Sequence, residues 1–255
     1  MRKMLKLTGI AALLVVIGLG VSSCGKQEPT DGGATPEAKT EANDTVKTTP
    51  EAQAAAGGLV AIPLVLPKPQ FVGTPTNIEG ITNLEPKRGT PREKFLAPAG
   101  VTNVALGKPV SSSVDEPIMG ELTWLVDGDK EATDGSLIEL DPFVQHVTVD
   151  LEAEHEIYAV VFWHYHKQAR VYLDVIVQVS DSQDFIDVQT VFNNDDDNSA
   201  EQGVGTDMNY VEVNEGKLVD AKGVKGRYVR LYSQGNNSND QNHYLEVEVY
   251  ARPIQ

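Results

Sequence analysis

The second half of the chain is a series of short strand-forming runs. Five of them are rich in β-branched and aromatic residues, and several alternate apolar and polar residues with a period of two: 147–151, 157–163, 173–179, 227–232 and 245–250. Such alternation lets each strand bury one face, and clusters of Gly, Asn and Asp separate the runs as turns do. Residues 101–255 contain no comparable amphipathic helical stretch. The pattern predicts an all-β sandwich, large enough to bury a core without disulfides.

The first 23 residues have the layout of a secretory signal peptide. Three cations, Arg2, Lys3 and Lys6, precede an uncharged apolar run at 7–20. A cationic start followed by an apolar run that enters the translocon is typical of such signals. The run is shorter than the roughly 20 apolar residues that a spanning helix needs, so a permanent membrane span is the weaker interpretation.

A lone cysteine follows the predicted signal peptide. Residues 21–24, Val-Ser-Ser-Cys, resemble a bacterial lipobox, and Cys24 is the only cysteine of the chain. The resemblance implies that Cys24 carries several acyl chains, and stable anchoring requires more than one. Gly25 follows in place of an acidic residue, which in bacterial lipoproteins favours the outer membrane of the cell envelope. An ordinary cleaved signal with an incidental cysteine is the alternative.

The charge of the chain limits its partners. Removal of residues 1–23 takes away three positive charges and no negative one, so the formal net charge moves from -16 to -19. Nucleic acid and anionic lipid headgroups both need a basic patch, so neither is expected as a partner. The membrane is expected to be reached through the acyl anchor only, and cations and neutral ligands fit the surface better.

Two further segments lie between the cysteine and the predicted sandwich. Residues 24–58 contain a single valine and no aromatic residue, so they cannot offset their chain entropy by burial and are predicted to be a disordered tether. Residues 59–100 begin with an apolar run but contain seven prolines. Repeated proline is incompatible with a helix or a central strand, so this segment is expected to lie extended along the folded domain.

Six ordered motifs point to a family. They are Asn103–Val110, Leu125–Asp129, Val149–Leu151, Gln178–Asp181, Arg227–Leu231 and Glu246–Tyr250. In this order they resemble the discoidin, or coagulation factor V/VIII type C, family. The resemblance implies a galactose-binding-like jelly-roll β-sandwich over residues 101–255. It also implies that loops at one end bind sugars, lipid headgroups, collagen or other proteins, and that the domain is not an enzyme.

The loop Asp127-Gly128-Asp129 is the best metal candidate. Hard cations take carboxylate and carbonyl oxygens, and acidic residues in a glycine turn bring such oxygens together. The resemblance implies a structural calcium ion here. Its implied ligands are Trp124, Asp127, Asp129, Thr133, Leu245 and Glu246. Thr133 lies one residue later than the family pattern, and Asp134 replaces the usual aromatic residue. A metal-free turn is the alternative, because Asp-Gly is a common turn dipeptide.

A loop after the run 157–163 carries the candidate ligand-binding groups. Imidazole and guanidinium groups beside aromatic rings suit sugar hydroxyls, which need directional donors and a flat apolar platform. We therefore predict that His166 and Arg170 bind the ligand together with His243 from a later loop. The alternatives are that His164 and His166 are strand-end histidines bonded within the fold, or that three histidines hold zinc. Two Asn- and Asp-rich loops, 193–198 and 235–240, are interpreted as solvated turns.

No motif of an enzyme is visible in the chain. It has no Gly-x-Ser-x-Gly, no Walker loop and no His-Glu-x-x-His. The sequence therefore predicts a lipid-anchored, non-catalytic module of the cell envelope that binds a carbohydrate or glycoconjugate. The alternative is a lipoprotein that docks an envelope protein and has no sugar site.

Overall fold

The structure is a computed structural model that describes residues 58–70 and 74–254. The predicted signal peptide 1–23, the predicted lipidation of Cys24 and almost all of the predicted tether lie outside the described residues. No helix in the described part of the chain is long and apolar enough to cross a membrane.

Strands dominate the described chain. They are β1 (Leu59–Ala61), β2 (Leu96–Pro98), β3 (Thr102–Asn103), β4 (Val110–Ser112), β5 (Ile138–Leu140), β6 (Gln145–Trp163), β7 (Ile176–Ser180), β8 (Gln189–Asn193), β9 (Lys217–Ser233), β10 (Asn242–Tyr244) and β11 (Glu246–Pro253). A 3₁₀ helix at Leu122–Val126 is the one helical element among the described residues. The predicted all-β fold is therefore confirmed.

One large antiparallel sheet bends to make both layers of the sandwich. Its strands run in the order β3-β11-β6-β9-β7-β8, and β4 also pairs with β6. β6 is 19 residues long and pairs with β4 through residues 147–149, but with β11 through residues 155–163. Its pairing with β9 shifts register between Asp150 and His155. This irregularity lets the same strand pass from one layer to the other.

The core lies between the two layers and explains the period-two pattern. Val147, Val149 and Leu151 come from the first part of β6, and they share one buried cluster with Val160 and Phe162 from its last part. Val247 and Val249 of β11 join the same cluster. Each such side chain gains about 1.5–3 kcal/mol when it is fully buried.

The opposite face of β6 and β11 is buried as well. Ala159, Val161 and Trp163 of β6 pack in a second cluster, together with Ile62 and Ala97 from the proline-rich segment. β1 pairs antiparallel with β2, and the Ile62 N–H donates to the Phe95 carbonyl oxygen over 3.0 Å. The segment therefore lies along the sandwich and completes its outer core.

Polar contacts hold the middle of this segment against the chain before β9. The Asn209 side-chain amide donates to the Thr82 carbonyl oxygen over 2.9 Å. The Arg92 guanidinium donates to the carbonyl oxygens of Glu215 and Gly216 over 2.8 and 2.9 Å. These bonds fix the backbone of residues 207–217, which borders the loop that follows β6.

One buried and one exposed aliphatic residue of this segment, Ile62 and Val65, provide a test of its role. Ile62→Ala is expected to lower the free energy of unfolding by about 2 kcal/mol, because it removes methyl groups from the outer core. Val65→Ala is the matched control, since Val65 is 70% exposed, and its effect is expected within about 0.5 kcal/mol. Urea denaturation of both variants measures the difference. Equal effects would show that the segment does not contribute to the core.

Candidate functional site

Several chain segments meet at the end of the sandwich where β6 stops at Trp163. The Leu173 N–H donates to the Gly235 carbonyl oxygen over 3.2 Å, and the Gln234 N–H donates to the Leu173 carbonyl oxygen over 2.8 Å. β10 pairs antiparallel with β5, and this pairing sets His243 opposite Glu139. The loop after β6, the loop before β10 and the β5–β10 pair are therefore neighbours, and we call this region the sandwich end.

Two of the three predicted ligand-binding residues are in contact there. Arg170 Nη1 lies 3.1 Å from His243 Nδ1, and Glu139 Oε2 lies 3.3 Å from His243 Nε2. Burial, together with the charge of Arg170, lowers the pKa of His243 to about 4, so this ring is neutral at pH 7. Because a guanidinium group can only donate, Nδ1 is the acceptor and the ring proton lies on Nε2, the nitrogen nearest Glu139.

The groups around this contact form a short row. Met119 lies opposite Glu139 in an isolated antiparallel bridge. Residues that lie opposite each other in antiparallel pairs share a face, so Met119, Glu139 and His243 lie on one face. Arg170 extends this line, and its guanidinium carbon is 5.2 Å from the centre of the Tyr165 ring. We call Met119, Glu139, His243 and Arg170 the polar row.

Sequence reasoning missed Glu139. It is a single carboxylate in an Ile-Glu-Leu run, and both flanking residues are buried in the main core. The alternation of this run could have shown that Glu139 points away from the core. It could not have shown that Glu139 meets His243, because that contact depends on a pairing between strands far apart in the chain.

His166, the third predicted ligand-binding residue, does not join the row. Its Nε2 lies 2.9 Å from the carbonyl oxygen of Lys130, and the residue is almost completely buried. His164 is also completely buried, and its ring stacks on Tyr172 with 4.1 Å between the ring centres. Both histidines thus bond within the fold, and the described chain has no set of three metal-ligand atoms that includes a histidine.

His164 is paired with a buried glutamate. Its Nδ1 lies 3.2 Å from Glu212 Oε2, and neither side chain is accessible to solvent. Burial raises the pKa of Glu212 well above its usual value and lowers the pKa of His164 to about 3. Burial therefore disfavours the charged form of both groups. Since no ligand can reach it, this pair supports the site from beneath and does not touch a ligand.

Glu246 is the residue of the predicted calcium site with the clearest signature. The Gly128 N–H donates to Glu246 Oε2 over 3.1 Å, which joins β11 to the Asp127-Gly128-Asp129 loop. Glu246 Oε1 is buried and has no hydrogen-bond partner. Burial raises the pKa of Glu246 to about 8. A buried carboxylate oxygen without a partner is unfavourable, and a hard cation at this position would pair it, so the residue fits such an ion.

The other predicted calcium ligands are arranged around the same loop. Asp127 Oδ1 accepts the Asp129 N–H over 2.8 Å, and Asp129 Oδ1 accepts the Glu131 N–H over 3.0 Å. Trp124, Asp127 and Asp129 line a cavity of about 310 Å³. The backbone N–H of Leu245 donates to the Trp163 carbonyl oxygen over 2.8 Å, which holds the start of β11 against the end of β6.

Two neighbouring groups complete the environment of the predicted ion. The hydroxyl of Thr133 donates to Ser136 Oγ over 2.9 Å. The Lys130 ammonium group pairs with Glu248, which leaves Glu246 without a cation of its own. The carboxylate of Glu246 and the adjacent loop are therefore the part of the predicted set that best fits calcium.

The Asn- and Asp-rich loop after β8 differs from its interpretation as a solvated turn. Asn194 and Asp195 are buried, and the Asp195 carboxylate accepts the backbone N–H groups of Ser199 and Ala200 over 3.1 and 2.9 Å. Within the described chain, Asp174, Asp195 and Asp197 form the one set of three acidic or histidine side chains whose ligand atoms lie within 4.8 Å of one another. Asp195 and Asp197 cap backbone N–H groups of the loop, and Asp174 accepts the Ser199 hydroxyl. The prediction of solvation fits residues 196–198, which are exposed, but was wrong for residues 193–195. These are buried because the loop folds back over the sheet, where Ala200 packs on Ile176 and Tyr232.

No family model matches the chain, and no curated protein matches it. A family 89 glycoside hydrolase from Clostridium perfringens is similar in structure, with 17% identity and a TM-score of 0.44 over 60% of this chain; the match spans 15% of the hydrolase. The CBM32 module of AlyQ in complex with 4,5-unsaturated mannuronic acid has 19% identity and a TM-score of 0.41, covering 55% of this chain and 92% of the module. A Streptococcus pneumoniae fucose-binding module has 20% identity and a TM-score of 0.41, and the match covers 58% of this chain and 96% of the module.

The raised pKa of Glu246 predicts a pH dependence of stability in the absence of metal ions. A carboxyl group whose pKa is higher in the folded state stabilises the fold fully below its unfolded pKa, near 4.5, and this contribution is lost as the pH rises through about 8. Glu246→Gln is expected to remove that part of the dependence, on the order of a few kcal/mol. Urea denaturation between pH 4 and pH 9 in the presence of a chelator measures it. The exposed Glu121→Gln is the control, and parallel profiles for wild type and Glu246→Gln would contradict the assignment.

Proposed function

We propose that this chain is a lipid-anchored, non-catalytic module of the bacterial cell envelope that binds a carbohydrate or glycoconjugate at the polar row. The observation that carries the proposal is the contact of Arg170 with His243 and of His243 with Glu139 at the sandwich end. The anchor would be Cys24, in the outer membrane by the residue that follows it.

The chemistry of the polar row suits sugar hydroxyls. A hydroxyl group both donates and accepts, and the row offers guanidinium donors beside carboxylate acceptors. Met119, which is 45% exposed, adds apolar surface on which the C–H face of a sugar ring can pack. The contact of Arg170 with His243 and of His243 with Glu139 holds all three side chains in place before a ligand arrives, which reduces the entropy lost on binding.

The charge of the row favours a neutral sugar. With His243 neutral, the guanidinium group of Arg170 and the carboxylate of Glu139 balance each other. The chain as a whole carries a formal net charge of -16, which would repel an anionic glycan. A neutral saccharide meets neither obstacle.

A structural calcium ion at the Asp127-Gly128-Asp129 loop belongs to this proposal. Bound calcium would supply the positive charge that the buried Glu246 carboxylate lacks. Glu246 and Asp127 would hold it, and the bond from the Gly128 N–H to Glu246 already sets the loop beside the carboxylate. The ion would thereby stabilise the fold and would take no part in sugar recognition.

Docking of an envelope protein is the second candidate function. Exposed aliphatic side chains gather on and near the β1–β2 pair: Leu59, Val60, Val65, Leu66 and Leu96. Exposed apolar residues in one region are typical of protein-interaction surfaces. This candidate predicts binding that does not depend on the polar row.

A glycan array on the purified protein tests the sugar proposal. For the glycans that wild type binds, Arg170→Ala is expected to raise the Kd at least about tenfold. The reason is that loss of a charge-assisted hydrogen bond costs roughly 1.5–3 kcal/mol. Arg252→Ala is the matched control, since Arg252 lies near the opposite end of β11 and pairs with Glu156. Glycan binding that survives Arg170→Ala would remove the polar row from the proposal, and a silent array for wild type would favour the protein partner.

Calorimetric unfolding with calcium or with chelator tests the ion. Calcium at a hundred times its Kd is expected to stabilise wild type by about 2.7 kcal/mol and to raise its Tm by several degrees. The Tm of Glu246→Gln is expected to respond much less. An unchanged Tm for wild type would remove calcium from the proposal while leaving the sugar site intact.

A further inference from the structure

Phe143 is an unusual residue on the surface of the sandwich end. Its side chain is 79% exposed, in the short loop between β5 and β6. Its backbone φ is +68°, in the left-handed region that residues with a side chain adopt rarely. An exposed aromatic ring and a left-handed backbone are each unfavourable, and here they occur at one residue.

The loop that presents Phe143 is held from beneath. The completely buried side chain of Asn242 donates to the carbonyl oxygens of Asp141 and Phe143 over 2.7 and 2.9 Å. Its own Oδ1 accepts from Ser233 Oγ and from the Gly235 N–H, each over 2.8 Å. Every hydrogen-bonding position of the Asn242 amide is therefore used to join β5, β9 and the loop before β10.

A second amide fixes the remaining carbonyl group of the loop. Gln145 Nε2 donates to the Pro142 carbonyl oxygen over 2.9 Å. The carbonyl groups of three successive residues, 141–143, are thus bonded by side chains on both sides of the loop. The exposure of Phe143 is consequently a fixed feature of the backbone, because the loop cannot turn the ring inward without breaking these bonds.

Phe143 lies close to the polar row. β5 and β10 pair so that Leu140 is opposite Asn242 and Glu139 is opposite His243. Phe143 lies four positions after Glu139, and four residues of fully extended chain span at most about 14 Å. Asn242, which holds the Phe143 loop, is also the immediate chain neighbour of His243. The β5–β10 pair thus holds both the loop of Phe143 and two residues of the row, Glu139 and His243.

We infer that Phe143 is an aromatic platform on which a second sugar ring of the ligand packs, so that the site takes a neutral oligosaccharide and not a single sugar. This inference rests on the proposed function of the polar row. One sugar would bond to Arg170 and Glu139, and the next would lay its C–H face on the Phe143 ring. Aromatic rings suit this role because they offer a large apolar area that loses little conformational entropy on binding.

The strain at residue 143 supports a role in binding over a role in folding. A glycine would adopt φ +68° without a steric penalty and would expose no apolar ring. The phenyl ring has little packing to lose, because so much of it is exposed. Strain retained at an exposed aromatic residue is characteristic of a functional position.

Phe143→Gly separates the two roles in one variant. We expect its Tm to equal or exceed that of wild type, because glycine relieves the left-handed backbone at the loss of few contacts. Affinity for neutral tetrasaccharides is expected to fall at least tenfold, while affinity for the corresponding monosaccharides stays within twofold. Isothermal titration with mono-, di- and tetrasaccharides of the glycan that wild type binds measures the affinities. Ile186→Gly is the matched control, because Ile186 is 77% exposed on the loop between β7 and β8, and it is expected to change no affinity.

The outcomes distinguish this inference from the proposed function. Loss of tetrasaccharide affinity with a retained Tm supports the platform. Equal tetrasaccharide affinity of wild type and Phe143→Gly, with binding abolished by Arg170→Ala, overturns the platform and leaves the polar row. A fall in Tm of more than about 4 °C makes Phe143 a structural residue and overturns the platform too. Wild type that binds no saccharide of any length overturns both the platform and the proposed function.

Discussion

The structure depends on the burial of both faces of β6. From residue 157 to 163 this strand is almost continuously apolar, so its two faces each need a cover of their own. The second layer of the bent sheet covers one face, and the proline-rich segment, through Ile62 and Ala97, covers the other. Ile62 and Ala97 share one buried cluster with Trp163, and for this reason residues 59–100 act as part of the domain and not as an extension of a tether.

Burial on both faces also determines the ionisation of the polar groups at the end of β6. His164, Glu212 and Glu246 are all completely buried, and burial moves the pKa of each toward its neutral form. His164 and Glu212 contact each other through one atom each, and His164 Nε2 and Glu212 Oε1 have no hydrogen-bond partner. Glu246 Oε1 also has none, but it lies beside an acidic loop. Burial thus gives an inaccessible structural pair at His164 and Glu212, and at Glu246 a carboxyl group that a cation could pair.

Local sequence patterns predicted the strands well and the site only in part. The alternation at 147–151 and 157–163 predicted two strands, but it could not reveal that a register shift joins them into one 19-residue strand. In β11 the same alternation directs Glu246 and Glu248 to solvent, yet both are buried because a distant segment covers that face. The contact of Arg170 with His243 joins residues 73 positions apart, so no local pattern predicts it. The left-handed backbone of Phe143 could not be predicted either, because phenylalanine seldom adopts that conformation.

The way in which β1 is attached has a mechanical consequence. β1 is only three residues long and pairs with β2 alone. The residues that pack in the outer core come after β1 in the chain. Suppose that a force pulls on the residues before β1 while a ligand holds the sandwich end. This force would break the hydrogen bonds between β1 and β2 one after another. Release of residues 59–95 would then lengthen the chain by up to about 120 Å while β6, β9 and β11 stay folded. The β1–β2 pair would therefore carry such a load first, and the hydrogen bonds at Thr82 and Arg92 would carry it next.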